Sequence, residues 1–102
     1  MTCADCPEEL ELLLEDALLL HDQAAVADLY VDGLLVSGDG RQVSGDDAFQ
    51  LLTRVAFVAS MRSVTLVHGL AIVLGDYTVN ISRREPDGGW RYVVTVVLPS
   101  SS

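Results

Sequence analysis

The sequence contains no lysine, and all six of its basic residues are arginines. Against them stand 15 acidic residues, for a formal charge of -9. That balance leaves no cationic face to grip phosphates, which argues against nucleic-acid and anionic-membrane partners. No apolar run approaches the roughly 20 residues of a membrane-spanning helix. The start, Met1-Thr2-Cys3-Ala4-Asp5-Cys6-Pro7, lacks the basic and apolar regions of a signal peptide, so a cytoplasmic location is expected. Histidine is limited to His21 and His68, and cysteine to Cys3 and Cys6. Their spacing matches no zinc pattern, and no metal or other cofactor is expected. Cys3-x-x-Cys6 also lacks the βαβ context of a redox motif and reads as two unrelated thiols. A redox pair is the alternative, because Cys6 immediately precedes a helix start and helix N-termini lower thiol pKa.

Hydrophobic residues, by contrast, make up 50% of the 102 residues. That length suits one domain spanning 1–102, with a flexible segment at 1–6 and a tail at 99–102. So apolar a short chain is expected to cover some of its surface with a second copy of itself. Arginine-only usage with abundant alanine, valine and aspartate suggests a bacterial, high-GC origin.

The periodicity changes along the chain. Leu10, Leu13, Leu14, Ala17 and Leu18 recur at helical spacing, after Pro7 in the first turn and with Glu8, Glu9 and Glu11 near the positive end of the helix dipole. Leu12, Leu19 and Leu20 widen the apolar stripe. Asp22 is placed to cap a second helix from Gln23 to Tyr30. Leu34–Ser37 and Arg41–Val43 read as short strands around the turn Gly38-Asp39-Gly40, whose spacing is not that of a phosphate loop. Ser44 begins a third helix, with Ala48, Phe49, Leu51, Leu52, Val55 and Ala56 inward and Asp46 and Asp47 complementing its dipole. From Arg62 the period becomes two. One strand is expected to His68 and a long one from Ala71 to Glu85, bent at Gly75. A last strand from Trp90 to Leu98 closes the sheet.

If Pro86–Gly89 is the final hairpin loop, Glu85 faces Trp90, Ile81 faces Val94 and Val79 faces Val96. One face then carries Tyr77, Val79, Ile81, Arg83, Trp90, Tyr92, Val94, Val96 and Leu98, and is expected beneath the helices. The other carries Thr78, Asn80, Ser82, Arg84, Arg91, Val93, Thr95 and Val97. Valines among hydroxyl and amide groups suggest a sheet-to-sheet homodimer through Asn80, Val93, Thr95 and Val97.

Four stretches, in order, resemble the nuclear transport factor 2-like superfamily and its SnoaL-like branch. They are Asp22 with Ala24–Tyr30, Val43-Ser44-Gly45-Asp46-Asp47-Ala48, His68-Gly69-Leu70-Ala71-Ile72-Val73, and Asp87-Gly88-Gly89-Trp90-Arg91-Tyr92-Val93. The resemblance implies an α+β, cystatin-like cone of three N-terminal helices on a curved, mainly antiparallel sheet. The family includes polyketide cyclases, ketosteroid isomerases and epoxide hydrolases beside non-catalytic modules, so the fold does not select a function. Leu14 stands where isomerase relatives carry a tyrosine, and Gly38 near where they carry a carboxylate base. No Arg-x-Asp matches the hydrolases, and Thr95 occupies the late strand where cyclases keep an acid or base.

The leading expectation is a dimeric binder of a small apolar ligand, in a cavity lined by Leu14, Tyr30, Phe49, Leu52, Tyr77 and Tyr92 and without the usual acid/base set. One alternative is a cyclase- or isomerase-type enzyme acting on a polyketide- or steroid-like substrate through Asp76, His68 or His21. The other is a non-catalytic dimerisation module with a filled core.

Overall fold

The computed structural model describes residues 4–38, 40–54, 63–75 and 78–98. Within them the chain forms α1 (Pro7–Leu19), α2 (Gln23–Asp28), β1 (Leu35–Gly38), β2 (Arg41–Ser44), α3 (Gly45–Arg54), β3 (Ser63–Val67), β4 (Leu70–Leu74), β5 (Thr78–Arg84) and β6 (Trp90–Val97). The architecture is α+β. The β1–β2 hairpin comes before α3, so the helices do not all precede the sheet.

Local chemistry explains the two helix junctions. Pro7 opens α1, with Glu8 and Glu9 in its first turn. The helix ends in a Schellman motif: Asp22 N–H donates to the Ala17 carbonyl and His21 N–H to the Leu18 carbonyl, both at 3.0 Å. His21 takes the left-handed position of that motif, at φ 52°, where glycine is usual. Asp22 then accepts the Ala25 N–H at 3.1 Å and caps α2. That helix stops at Asp28, short of the expected Tyr30. The next backbone groups are taken by β6: Tyr92 N–H donates to Leu29 at 2.7 Å, and Val31 N–H donates to Tyr92 at 2.8 Å.

The sheet runs β2-β1-β6-β5-β4-β3. Among the six described strands, β1 and β6 pair in parallel and the other neighbours pair antiparallel. β6 is the hub, since Ala4 and Tyr30 also bridge to it at Trp90 and Tyr92. The long strand expected from Ala71 to Glu85 is instead two strands. β4 and β5 pair antiparallel, and the chain reverses between Gly75 and Thr78, where Gly75 N–H donates to the Thr78 carbonyl at 2.9 Å. Gly75 therefore follows the end of β4 rather than bending one continuous strand.

The last hairpin carries the principal correction. Its loop is three residues, Pro86-Asp87-Gly88, closed by Glu85 N–H donating to the Gly89 carbonyl at 2.7 Å, with Gly88 at φ 92°. This is a type I turn followed by a left-handed residue. Near the loop, Arg84 therefore faces Trp90 and Ser82 faces Tyr92, one residue off the expected register. A β-bulge at Val93 restores that register, so Ile81 faces Val94 and Val79 faces Val96 as expected. The shift moves Trp90 and Tyr92 onto the face of Thr78, Asn80, Ser82, Thr95 and Val97. That face, not the one bearing Val79 and Ile81, lies beneath the helices: Thr78, Asn80, Ser82, Tyr92 and Thr95 are all buried. The expected faces are thus exchanged for β5 and for β6 beyond the bulge, while Trp90 and Tyr92 point inward as expected.

The core gathers Leu10, Leu14 and Leu18 of α1, Val26 of α2, Val36 of β1, Ala48, Phe49 and Leu52 of α3, and Tyr92. Val55 and Ala56, expected inward on the third helix, lie outside the described residues.

Candidate functional site

The interior contains a carboxylate that the reading of the sequence assigned to the helix dipole. Glu11 lies on α1 three residues before Leu14 and seven before Leu18, so it shares their buried stripe. It is only 2% exposed. Its Oε2 accepts the Asn80 Nδ2–H at 2.7 Å and also the Tyr92 hydroxyl. Asn80 Oδ1 accepts the Thr95 hydroxyl at 2.6 Å, and Thr95 Oγ1 is hydrogen-bonded in turn to the Tyr30 hydroxyl. A connected chain therefore crosses the interior from α1 through β5 and β6 to the end of α2. The Tyr30 and Tyr92 rings pack with centroids 5.1 Å apart.

Burial decides the protonation of these groups. Loss of water pushes the Glu11 carboxyl above its ordinary pKa, against the Tyr92 and Asn80 hydrogen bonds that favour its ionised form. Burial also raises Tyr30, opposed by its Thr95 hydrogen bond and assisted by the Glu11 charge. Tyr92 is raised by burial first and then by the charge of Glu11 beside it. Both tyrosines therefore remain protonated at neutral pH. A carboxyl of raised pKa beside a tyrosine can hold and return a proton. The interior thus contains a buried ionisable group that was not among the expected lining residues. Ser82 Oγ, buried on the same face, has no hydrogen-bond partner among the described residues.

The expected lining residues Leu14, Tyr30, Phe49, Leu52 and Tyr92 do meet, all buried within one core cluster. Tyr77 lies outside the described residues, as do Asp76 and Cys3. His21 is an exposed helix terminus whose ring edge contacts Phe49, with centroids 6.4 Å apart. His68 is exposed in the β3–β4 turn, where it and Gly69 both adopt positive φ. Such a pair forms a two-residue type I′ hairpin, which explains the placement of His68. Neither histidine reaches the interior. Among the described residues no group of histidine, cysteine, aspartate or glutamate could hold a metal ion. No described helix is long and apolar enough to cross a membrane.

Of the expected dimer contacts, Asn80 and Thr95 are interior, and Val97 packs against the core. Val93, the bulge residue, is 37% exposed. The outward sheet face is instead built from Val67, Leu70, Ile72, Leu74, Val79, Ile81, Val94 and Val96, with Arg83 and Arg91 beside them. Val67, Leu70, Ile72 and Leu74 are between 39% and 48% exposed. No aspartate or glutamate falls in any of the six strands, although the chain has 15.

No protein-family model matches the chain, and no curated protein matches its sequence. Solved structures do match its fold. A Thiobacillus denitrificans protein assigned as a calcium/calmodulin-dependent protein kinase type II association domain superposes with a TM-score of 0.67 at 18% identity, covering 97% of this chain and 100% of that one. An NTF-2-like protein of unknown function from Shewanella oneidensis gives 0.61 at 15% identity, over 86% and 92% of the two chains. A SnoaL-like protein of unknown function from Burkholderia thailandensis gives 0.56 at 15% identity, over 92% and 93%. At these identities the likeness is one of fold.

Proposed function

With the nuclear transport factor 2-like fold as premise, we propose that this chain is a homodimerising module that pairs sheet to sheet through its outward face. The observation that carries this reading is the composition of that face. It is a contiguous aliphatic surface whose strands contain no acidic residue in a chain of charge -9, with Arg91 and the Arg83–Glu85 ion pair, 3.3 Å apart, at its margin. Depletion of acids with retention of arginine marks interface cores, and exposed aliphatic patches of this kind mark association sites. The interior supports the same reading. Its polar groups largely satisfy one another, as in a network that specifies a fold, and its aromatic and aliphatic groups pack together. The superposition on an association domain over 97% of this chain and 100% of that one is in keeping with it. Ile72→Arg places a charge at the centre of the outward face without touching the core. Sedimentation equilibrium should then report a monomer where the unsubstituted chain is a dimer. An unsubstituted chain that sediments as a monomer at micromolar concentration would sink the proposal.

A second reading rests on Glu11. A buried carboxyl with raised pKa, a tyrosine bonded to it and the unpartnered Ser82 hydroxyl could together receive a small hydroxy-ketone of polyketide or steroid type. It predicts that such compounds raise the melting temperature of the unsubstituted chain but not of the Tyr92→Phe variant. Equal shifts in both would exclude it.

A further inference from the structure

On the side of α1 away from Glu11 lies a half-open groove of about 860 Å³. Leu13, Ala17 and Leu20 contribute one wall, at helical spacing along α1. Ala25 of α2 and Leu29 and Val31 beyond it contribute the other. Asp16, Asp22 and Asp28 also line it, against Arg91 as the single cation of the lining. The apolar surface continues past the groove, since Leu12, Leu19 and Leu20 are 52%, 72% and 77% exposed. Helix α1 therefore presents leucines on two sides, one to the core and one to solvent. Its outward leucines are not explained by the proposed sheet-to-sheet dimer, which uses a different face.

Three carboxylates beside an apolar floor are complementary to an amphipathic cation. We propose that this groove is a docking site for a basic amphipathic helix of a partner protein, with leucine-like anchors set between Leu13, Leu20 and Leu29 and lysine or arginine facing Asp16, Asp22 and Asp28. Helix-in-groove recognition requires an open apolar trough, and the charged rim selects the partner and speeds its encounter. The overall charge of -9 adds long-range attraction for the same class of partner.

The probe is a short fluorescein-labelled helical peptide of leucine and lysine with all leucines on one face, followed by anisotropy at low and raised salt. Two control peptides accompany it: one with glutamate in place of lysine, and one of the same composition with the leucine stripe scrambled. The striped lysine peptide should bind, weaken as salt rises and exceed the scrambled one by roughly tenfold, while the glutamate peptide fails. Leu20→Arg should cost roughly tenfold in affinity. Glu8→Gln, an equal change of charge of +1 on α1 outside the groove, should cost far less. Leu20 and Glu8 are both exposed, and circular dichroism verifies that each variant retains its fold. Absence of binding, equal binding of the scrambled peptide, or equal losses in the two variants would each overturn the proposal. A change in sedimentation mass on Leu20→Arg alone would also overturn it, by assigning the groove to a second copy. The Ile72→Arg result does not bear on any of these outcomes.

Discussion

Replacing Glu11 separates two contributions of one buried side chain. Glu11→Ala removes the acceptor for the Tyr92 hydroxyl and the Asn80 amide, both of which stay buried. Each orphaned donor costs about 1–3 kcal/mol, so the loss approaches roughly 2–6 kcal/mol. That is a large share of the roughly 5–15 kcal/mol that holds a domain together. Glu11→Gln keeps an acceptor oxygen for both donors while removing the charge. Its effect depends on pH, with a defined sign. The folded-state pKa of Glu11 is raised above 4.5 by burial, so the stability linked to its protonated form is fully present below the unfolded pKa. It is lost as pH rises through the folded pKa. The glutamine variant does not titrate there. The unsubstituted chain should therefore lose stability relative to Glu11→Gln as pH increases above about 4.5. Urea unfolding at a series of pH values, with the slope of each transition held as a check on the unfolded state, measures the difference directly. A difference that stays constant with pH, or that moves in favour of the unsubstituted chain as pH rises, would refute the assignment of burial as the dominant influence on Glu11.

Three further outcomes follow from named contacts. Thr95→Val keeps the side-chain shape but leaves the Tyr30 hydroxyl and Asn80 Oδ1 without their shared partner, so urea unfolding should show a loss of about 1–3 kcal/mol for each group. His21→Gly relieves a left-handed residue at the end of α1 and should raise stability by about 1 kcal/mol, reduced by the lost edge contact with Phe49; a lower melting temperature would contradict the Schellman assignment. Asp22→Ala removes the cap of α2 and should cost about 1 kcal/mol, with hydrogen exchange accelerating first at Ala25.

Much of the fold is legible in local pattern. Pro7, Asp22 and the spacing of Leu10, Leu14 and Leu18 place the first two helices, because capping and helical period act within a few residues. His68-Gly69 and Pro86-Asp87-Gly88 mark turns for the same reason. The interior network was harder to see. Glu11 lies among acids that suit a helix start, and only its register with Leu14 and Leu18 distinguishes it from Glu8 and Glu9. Thr78, Asn80 and Ser82 do recur with period two, but polar residues in alternation ordinarily suggest solvent. They are stable inside because partners distant in sequence satisfy them: Glu11 with Asn80, and Tyr30 with Thr95. The outward face was legible as an aliphatic row but was assigned the wrong side.

The sequence by itself determined the helices and their order among the strands, the antiparallel return of β6 and the anionic, lysine-free composition, since each depends on composition or on neighbours along the chain; the division of the expected long strand into β4 and β5 came from the structure. Only the tertiary structure decided which face of the sheet is inside. One left-handed glycine, Gly88, shortens the loop by a residue, and one extra residue, Val93, restores the register beyond it. Those two steps set Tyr92 on the same face as Asn80, where both meet Glu11, and leave Ile81 and Val94 on the other. Side-chain period in a strand is two, so a single-residue step is enough to exchange interior for surface.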